Sequence, residues 1–224
     1  MSSKRFFIPF IGSNYEKGIN GKRVMVLGAS FYCNHTECKF FKQCTSIECK
    51  DSRAYDEICP IYAKDNKKLH REPEYAIEDC VSTYQKFAAG LAKYVGTEDY
   101  DEVWSHVAFT NYVQFFLPAE NGYRETRKSD LSERDYEAFV ETLAELKPDI
   151  VIVWGSVINN RIKQDNPDMV QNGMLERTDW YVCQIVPTGF TIPIYIINPY
   201  HPSMSAWYSG MADFDRYFSQ LINK

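Results

Sequence analysis

Residues 22–38, KRVMVLGASFYCNHTEC, decide how the rest of this chain is read. Val24-Met25-Val26-Leu27 is an unbroken apolar run of strand length, the pattern of a strand covered on both faces, and Gly28 ends it where the backbone must turn sharply. Ser30, Tyr32, Cys33, Asn34, His35 and Cys38 follow at once. In open α/β sheets ligands bind beyond the carboxyl ends of the strands, so a polar cluster just past a buried strand is the first place to look for chemistry.

Outward from this stretch the pattern repeats. Glu102 to Phe116 reads as a second strand region, with Val103 to Phe109 leading into Thr110-Asn111-Tyr112-Val113. DIVIVWG at 149–155 is the third buried strand, and Ser156 is placed to cap a short helix after it. Trp180 to Val186 and Ile192 to Ile197 read as further strands. The last of these meets Asn198-Pro199-Tyr200-His201-Pro202-Ser203, where two prolines fix a loop that continues neither as sheet nor as helix. Between the strands lie helical patterns. One runs from Pro73 to a stop at Gly96 through Tyr75, Ile77, Val81, Tyr84, Phe87, Ala88 and Leu91. Another is capped by Ser132, with Asp135 three residues on and a stripe of Tyr136, Phe139, Val140, Leu143 and Leu146 before Pro148 closes it. The tail puts Met211, Phe214, Phe218, Leu221 and Ile222 on one face. Strands alternating with helices predict a single three-layer α/β/α domain over 1–224 with a central, mainly parallel four-stranded sheet, its polar loops gathered at one edge.

Length, 224 residues, suits one such domain, and a net charge of −5 argues against a strongly basic nucleic-acid coat. No apolar run approaches the roughly 20 residues of a membrane span, and the apolar patch in MSSKRFFIPFIGSNYEKG is too short and interrupted for a signal peptide. A cytoplasmic, monomeric protein with no membrane partner is expected. Of seven cysteines, five fall between Cys33 and Cys59, inside a basic, aperiodic insertion at about 33–73. An odd count without a secretory signal favours thiols or metal ligands over a disulfide framework.

In three strand-end motifs the chain resembles the uracil-DNA glycosylase superfamily: VLGASFYC at 26–33, AFTNYV at 108–113 and NPYHPSMSAW at 198–207, with KPDIVIVWG at 147–155 matching the family's third core strand. The likeness runs from about residue 22 to the end and leaves out the cysteine-rich insertion. It implies a uracil-DNA glycosylase-like fold and cleavage of the N-glycosidic bond of uracil or another deaminated base, presented by DNA as a flipped or single-stranded nucleotide. By that resemblance Asn111 reads the base edge with one donor and one acceptor. Tyr32 walls the pocket against a methyl group, Phe109 or Phe31 stacks on the base, Gly28 and Ala29 line it, and Ser203 with the backbone near Met204 holds the adjacent phosphate. His201 donates to O2 as the base leaves as an anion. Where much of the family carries an Asp, Glu or Asn in the first motif, this chain has Ala29 and Ser30. Water positioning then falls to Ser30, Asn34, Glu37 or the loop backbone. Two rival readings stay open, a glycosidase acting on free nucleosides or nucleotides and a non-catalytic base- or nucleic-acid-binding module on the same fold.

Each residue also has a plainer reading. His201 suits a loop cap, Asn111 a turn, Tyr32 the core, and Ser30 a backbone contact. No cofactor is required. Cys33, Cys38, Cys44 and Cys49 are candidate ligands for zinc or an iron–sulfur cluster, although their spacing is equally that of reduced thiols. Cys80 and Cys183 sit on apolar faces and read as core. The lysines of 39–71 read as a solvated face or, beside a pocket mouth, as a phosphate attractant.

Overall fold

The computed structural model describes residues 4–38, 41, 71–166, 182–187 and 189–224. Its strands are β1 (Phe10–Ile11), β2 (Val24–Gly28), β3 (Phe31–Cys33), β4 (Val107–Asn111), β5 (Phe116–Pro118), β6 (Ile150–Val153), β7 (Val182–Ile185) and β8 (Ile194–Ile197). Its helices are α1 (Glu72–Glu78), α2 (Ser82–Val95), α3 (Tyr100–Ser105), α4 (Glu133–Leu146), α5 (Ser156–Asp165) and α6 (Ala206–Ile222), with a 3-10 turn at Lys128–Asp130.

Strands β4, β2, β6 and β8 are parallel neighbours in that order. Alternation along each strand splits the core in two. Val24, Val26, Ile150 and Ile152 join Phe87 and Leu91 of α2 and Phe214 and Phe218 of α6. Met25, Leu27, Val151 and Val153 join Phe139 and Leu143 of α4 and Ile158 and Ile162 of α5 on the opposite face. Helices therefore cover both sides, and the carboxyl ends of the four parallel strands share one edge.

The sheet is wider than the four strands expected. Among the described residues it has six, because antiparallel β1 and β7 pair with β4 and β8 at its two margins. A two-residue strand inside a turn-rich lead-in carries too little periodicity to be seen in sequence. Val103-Trp104-Ser105 is helical rather than extended, started by the Asp99 side chain accepting from the Asp101 N–H. Ser156 is the first residue of α5 and not its cap; that place belongs to Gly155, whose φ of 115° a side chain would resist. The helix expected from Pro73 to Gly96 breaks at Asp79–Val81, where Cys80 takes a φ of 56°. Cys80 is exposed there rather than in the core, whereas Cys183 is buried and its thiol is pushed up to about 11 by desolvation. Most of the cysteine-rich insertion, with Cys44 and Cys49, lies outside the described residues.

Beside the sheet, β3 and β5 form a second, two-stranded parallel sheet under a third cluster that includes Phe6, Phe7, Cys33, Phe115, Phe116 and Leu117. A buried polar relay ties it to the main body. The Asp135 carboxylate accepts from the Ser132 N–H at 2.7 Å, closing a capping box, and from the Gln114 N–H at 2.9 Å. The Gln114 side-chain oxygen accepts in turn from the Phe6 and Phe7 N–H groups at 2.9 and 3.2 Å. Such donors must be paired when buried, so this relay fixes the amino-terminal arm across the domain.

Candidate functional site

Gly28, Asn111, Trp154 and the loop carrying His201 all lie at the carboxyl edge of the parallel strands. Gly28 and Asn111 are register partners, and a Cβ on Gly28 would stand 2.2 Å from the Asn111 Oδ1 and 3.2 Å from the Phe109 ring. Only glycine lets the asparagine amide lie against the end of β2. Asn111 is 4% exposed, no described residue hydrogen-bonds its side-chain amide, and that amide is not among the polar groups sealed from solvent without a partner. Its carbonyl, by contrast, is taken by Gln114 Nε2 at 2.7 Å. An amide in that position offers a ligand both a donor and an acceptor.

The loop after β8 is fixed from within. Asn198 Nδ2 donates to the Val153 carbonyl at 2.7 Å, stapling the ends of β8 and β6 together. Three residues on, the backbone N–H of Ser203 donates to His201 Nδ1 at 3.2 Å, with the Ser203 hydroxyl 2.7 Å from the same nitrogen. A backbone N–H can only donate, so Nδ1 is the acceptor and the ring proton sits on Nε2. Burial pushes the His201 pKa below its ordinary value, favouring the same neutral form. The loop thus presents a neutral imidazole with one outward-capable donor.

Trp154 was missed by the sequence reading, which took it only as the end of a strand. It is 2% exposed, edge-on to His201 at 5.6 Å between ring centroids. Its indole nitrogen is sealed in without a partner among the described residues. Tyr84, Phe87 and Phe109 pack around it at 5.7, 5.0 and 5.6 Å. Phe109 is 2% exposed and engaged by Tyr84, Trp104 and Trp154, so it forms the aromatic floor behind Gly28 and offers no free face. Phe31 is half-buried and meets the Phe7 ring edge-on at 4.8 Å.

The loop after β2 is arranged differently. The Ala29 carbonyl accepts from the Val113 N–H at 3.0 Å. Ser30, almost buried, pairs its hydroxyl with Thr126 at 3.1 Å. Thr126 belongs to a loop held by a bidentate ion pair, in which Arg124 donates from both terminal nitrogens to Asp130 at 2.7 Å. Tyr32 turns with β3 towards the third cluster, half-buried. Asn34 and Glu37 are exposed, and Ser203 lies exposed beside His201. The structure therefore groups Gly28, Ala29, Asn111 and His201 at one sheet edge, while Ser30 is occupied by a loop contact and Asn34 stands out in solvent.

Cys33 is buried with its sulfur accepting from the His35 N–H at 3.4 Å, and Cys38 carries a free thiol. Among the described residues no group of three or more His, Cys, Asp or Glu side chains stands close enough to hold a metal ion. No described helix is long and apolar enough to cross a membrane. No protein-family model and no curated protein matches the sequence.

Proposed function

We propose that this chain is a DNA base-excision glycosylase of uracil-DNA glycosylase type, cleaving the N-glycosidic bond of uracil or another deaminated base. One observation carries the reading: the side-chain amide of Asn111, bonded by no described residue, shares the carboxyl edge of the sheet with a histidine locked as a neutral Nε2–H donor. An amide offers the donor and acceptor that a base edge demands. A neutral donor suits a departing base anion, because it stabilises the charge growing on O2 without first losing a proton.

In this mechanism a flipped or single-stranded base enters against Gly28 and Asn111. The C1′–N1 bond breaks and its electron pair stays on the base. His201 Nε2–H hydrogen-bonds the developing oxyanion while Ser203 holds Nδ1. Water then adds to C1′ and gives up its proton, and the base departs protonated or is neutralised by solvent. With Ala29 and a loop-bonded Ser30 at the end of β2, no carboxylate stands at that position to steady the sugar cation. The leaving-group side of the reaction, at His201, has to do most of the work.

The same absence favours a second reading, a non-catalytic module that binds a modified base. A glycosidase acting on free nucleosides is the remaining alternative, given the net charge of −5. A single-turnover assay at low salt separates the three. Oligonucleotides and free nucleosides carrying uracil, hypoxanthine or xanthine are incubated with excess wild type, Asn111→Ala and His201→Ala. Base release from an oligonucleotide that both substitutions suppress supports the glycosylase. Release from nucleosides alone, or binding without release, transfers the assignment to the corresponding rival.

A further inference from the structure

A groove of about 470 Å³ runs along the outer seam of α2, α3 and α6, lined by Ser82, Gln85, Lys86, Tyr100, Trp207 and Tyr208 among others. Its size is that of a small-ligand site. No carboxylate lines it, although acids outnumber bases in the chain by 30 to 25. The Lys86 ammonium stands 5.6 Å from the centroid of the Tyr208 ring, and Tyr208 is 64% exposed on the first turn of α6. The pair sets an aromatic face beside a cation at the edge of the groove.

The groove is also linked to the candidate site, through the core and along the chain. Trp207 packs on Phe87 at 6.3 Å, Phe87 on Trp154 at 5.0 Å, and Trp154 on His201 at 5.6 Å. His201 and Tyr208 are joined along the chain by Pro202–Trp207, where the Met204 N–H bonds to the His201 carbonyl and the Trp207 N–H to the Met204 carbonyl. A polymer anchored at His201 would have its next units within reach of the groove.

We infer that this groove binds a nucleotide flanking the target base on a single-stranded nucleic acid, with the flanking base against Tyr208 and its phosphate near Lys86. An aromatic platform plus a cation is the recurrent means of holding single strands without reading their sequence, because every base has a stacking face. One cation in an otherwise neutral groove gives local attraction on an acidic protein and little grip on long duplexes. The inference rests on the glycosylase reading for the identity of the first base, but the groove can be tested without it.

The probe is a fluorescent oligothymidylate with no deaminated base, followed by anisotropy for the wild type, Tyr208→Ala, Tyr208→Phe and Lys86→Gln, with thermal melts as a folding control. Tyr208→Ala should weaken binding roughly tenfold and Tyr208→Phe should restore it, since stacking needs only the ring. Lys86→Gln should flatten the slope of log affinity against log salt by about 0.7, the value for one phosphate contact on a single strand. No binding by the wild type, or equal affinity and salt slope in all four proteins, overturns the inference. Base release from a uracil dinucleotide, too short to fill the groove, should be the same for wild type and Tyr208→Ala. If no protein releases that base while oligothymidylate binding follows Tyr208, the glycosylase reading fails and the groove stands.

Discussion

The loops leaving β2 and β8 end on the same edge of one sheet, yet they are held in opposite ways. Past β8, the histidine is set by Ser203 two residues away and by two prolines, with Asn198 tied to Val153 and Trp154 packed edge-on against the ring. Past β2, the partners that fix Ala29 to Cys33 are remote in sequence: Val113 on the Ala29 carbonyl, Thr126 on Ser30, and β5 along β3. A locally built loop keeps its donor geometry when its surroundings change. A loop built by distant partners takes whatever chemistry those partners leave available, and here Thr126 engages the one hydroxyl at the end of β2.

This contrast can be broken most directly at His201. Replacing it by Ala should slow single-turnover base release roughly 10²–10³-fold, the usual cost of losing one preorganised donor to a developing oxyanion, with the melting temperature little changed. A loss under threefold would remove His201 from the mechanism. Next in size is the remote support of the other loop. Arg124→Ala leaves the Asp130 carboxylate, whose side chain is 4% exposed, without its bidentate partner. It should cost about 3 kcal/mol in urea unfolding, since a nearly buried charge then loses its counterion while keeping the Arg127 N–H at 2.7 Å. Activity should fall with it only insofar as the Thr126 loop shifts.

Ser30→Ala sharpens the comparison further. Losing one half-buried hydroxyl pair should cost about 1 kcal/mol and change the rate by less than about threefold, because Ser30 is committed to Thr126. A tenfold fall in rate with unchanged stability would instead make Ser30 a residue that touches substrate or water. The smallest expected effect is on pH. Burial holds His201 below its ordinary 6.5, so just below that pH the unfolded chain binds a proton that the native state refuses. Stability should therefore decline as pH falls through 6.5 towards the lower native value, and His201→Gln should flatten that part of the urea-midpoint profile. Base release should persist somewhat below pH 6.5, because the donor stays neutral there.

Much of this architecture is legible in the chain itself. Val24 to Leu27 and Ile150 to Val153 are apolar on both faces, and no isolated strand or surface helix tolerates that, so they declare a covered parallel sheet. Ser132 with Asp135, and Gly96 with its φ of 82°, are end signals whose physics is confined to one turn, and both are met in the structure. The loop containing His201 is legible for the same reason, since prolines and a serine two residues away determine it with little outside help. The misreadings fall where that locality ends. The strand at Phe10–Ile11 exists because β4 offers it an edge, and Val103–Ser105 turns helical because Asp99 caps it and Trp104 is drawn into the α2 core.

By itself, then, the sequence determined the buried strands, the caps and the proline-bound loop, because each depends on a few residues within one turn or one strand. Only the tertiary structure decided that Asn111 lies against Gly28, that Phe109 is floor, that Trp154 stands beside His201, and that Ser30 is given to Thr126. Those are contacts between residues tens of positions apart, and no local spacing encodes which distant partner arrives.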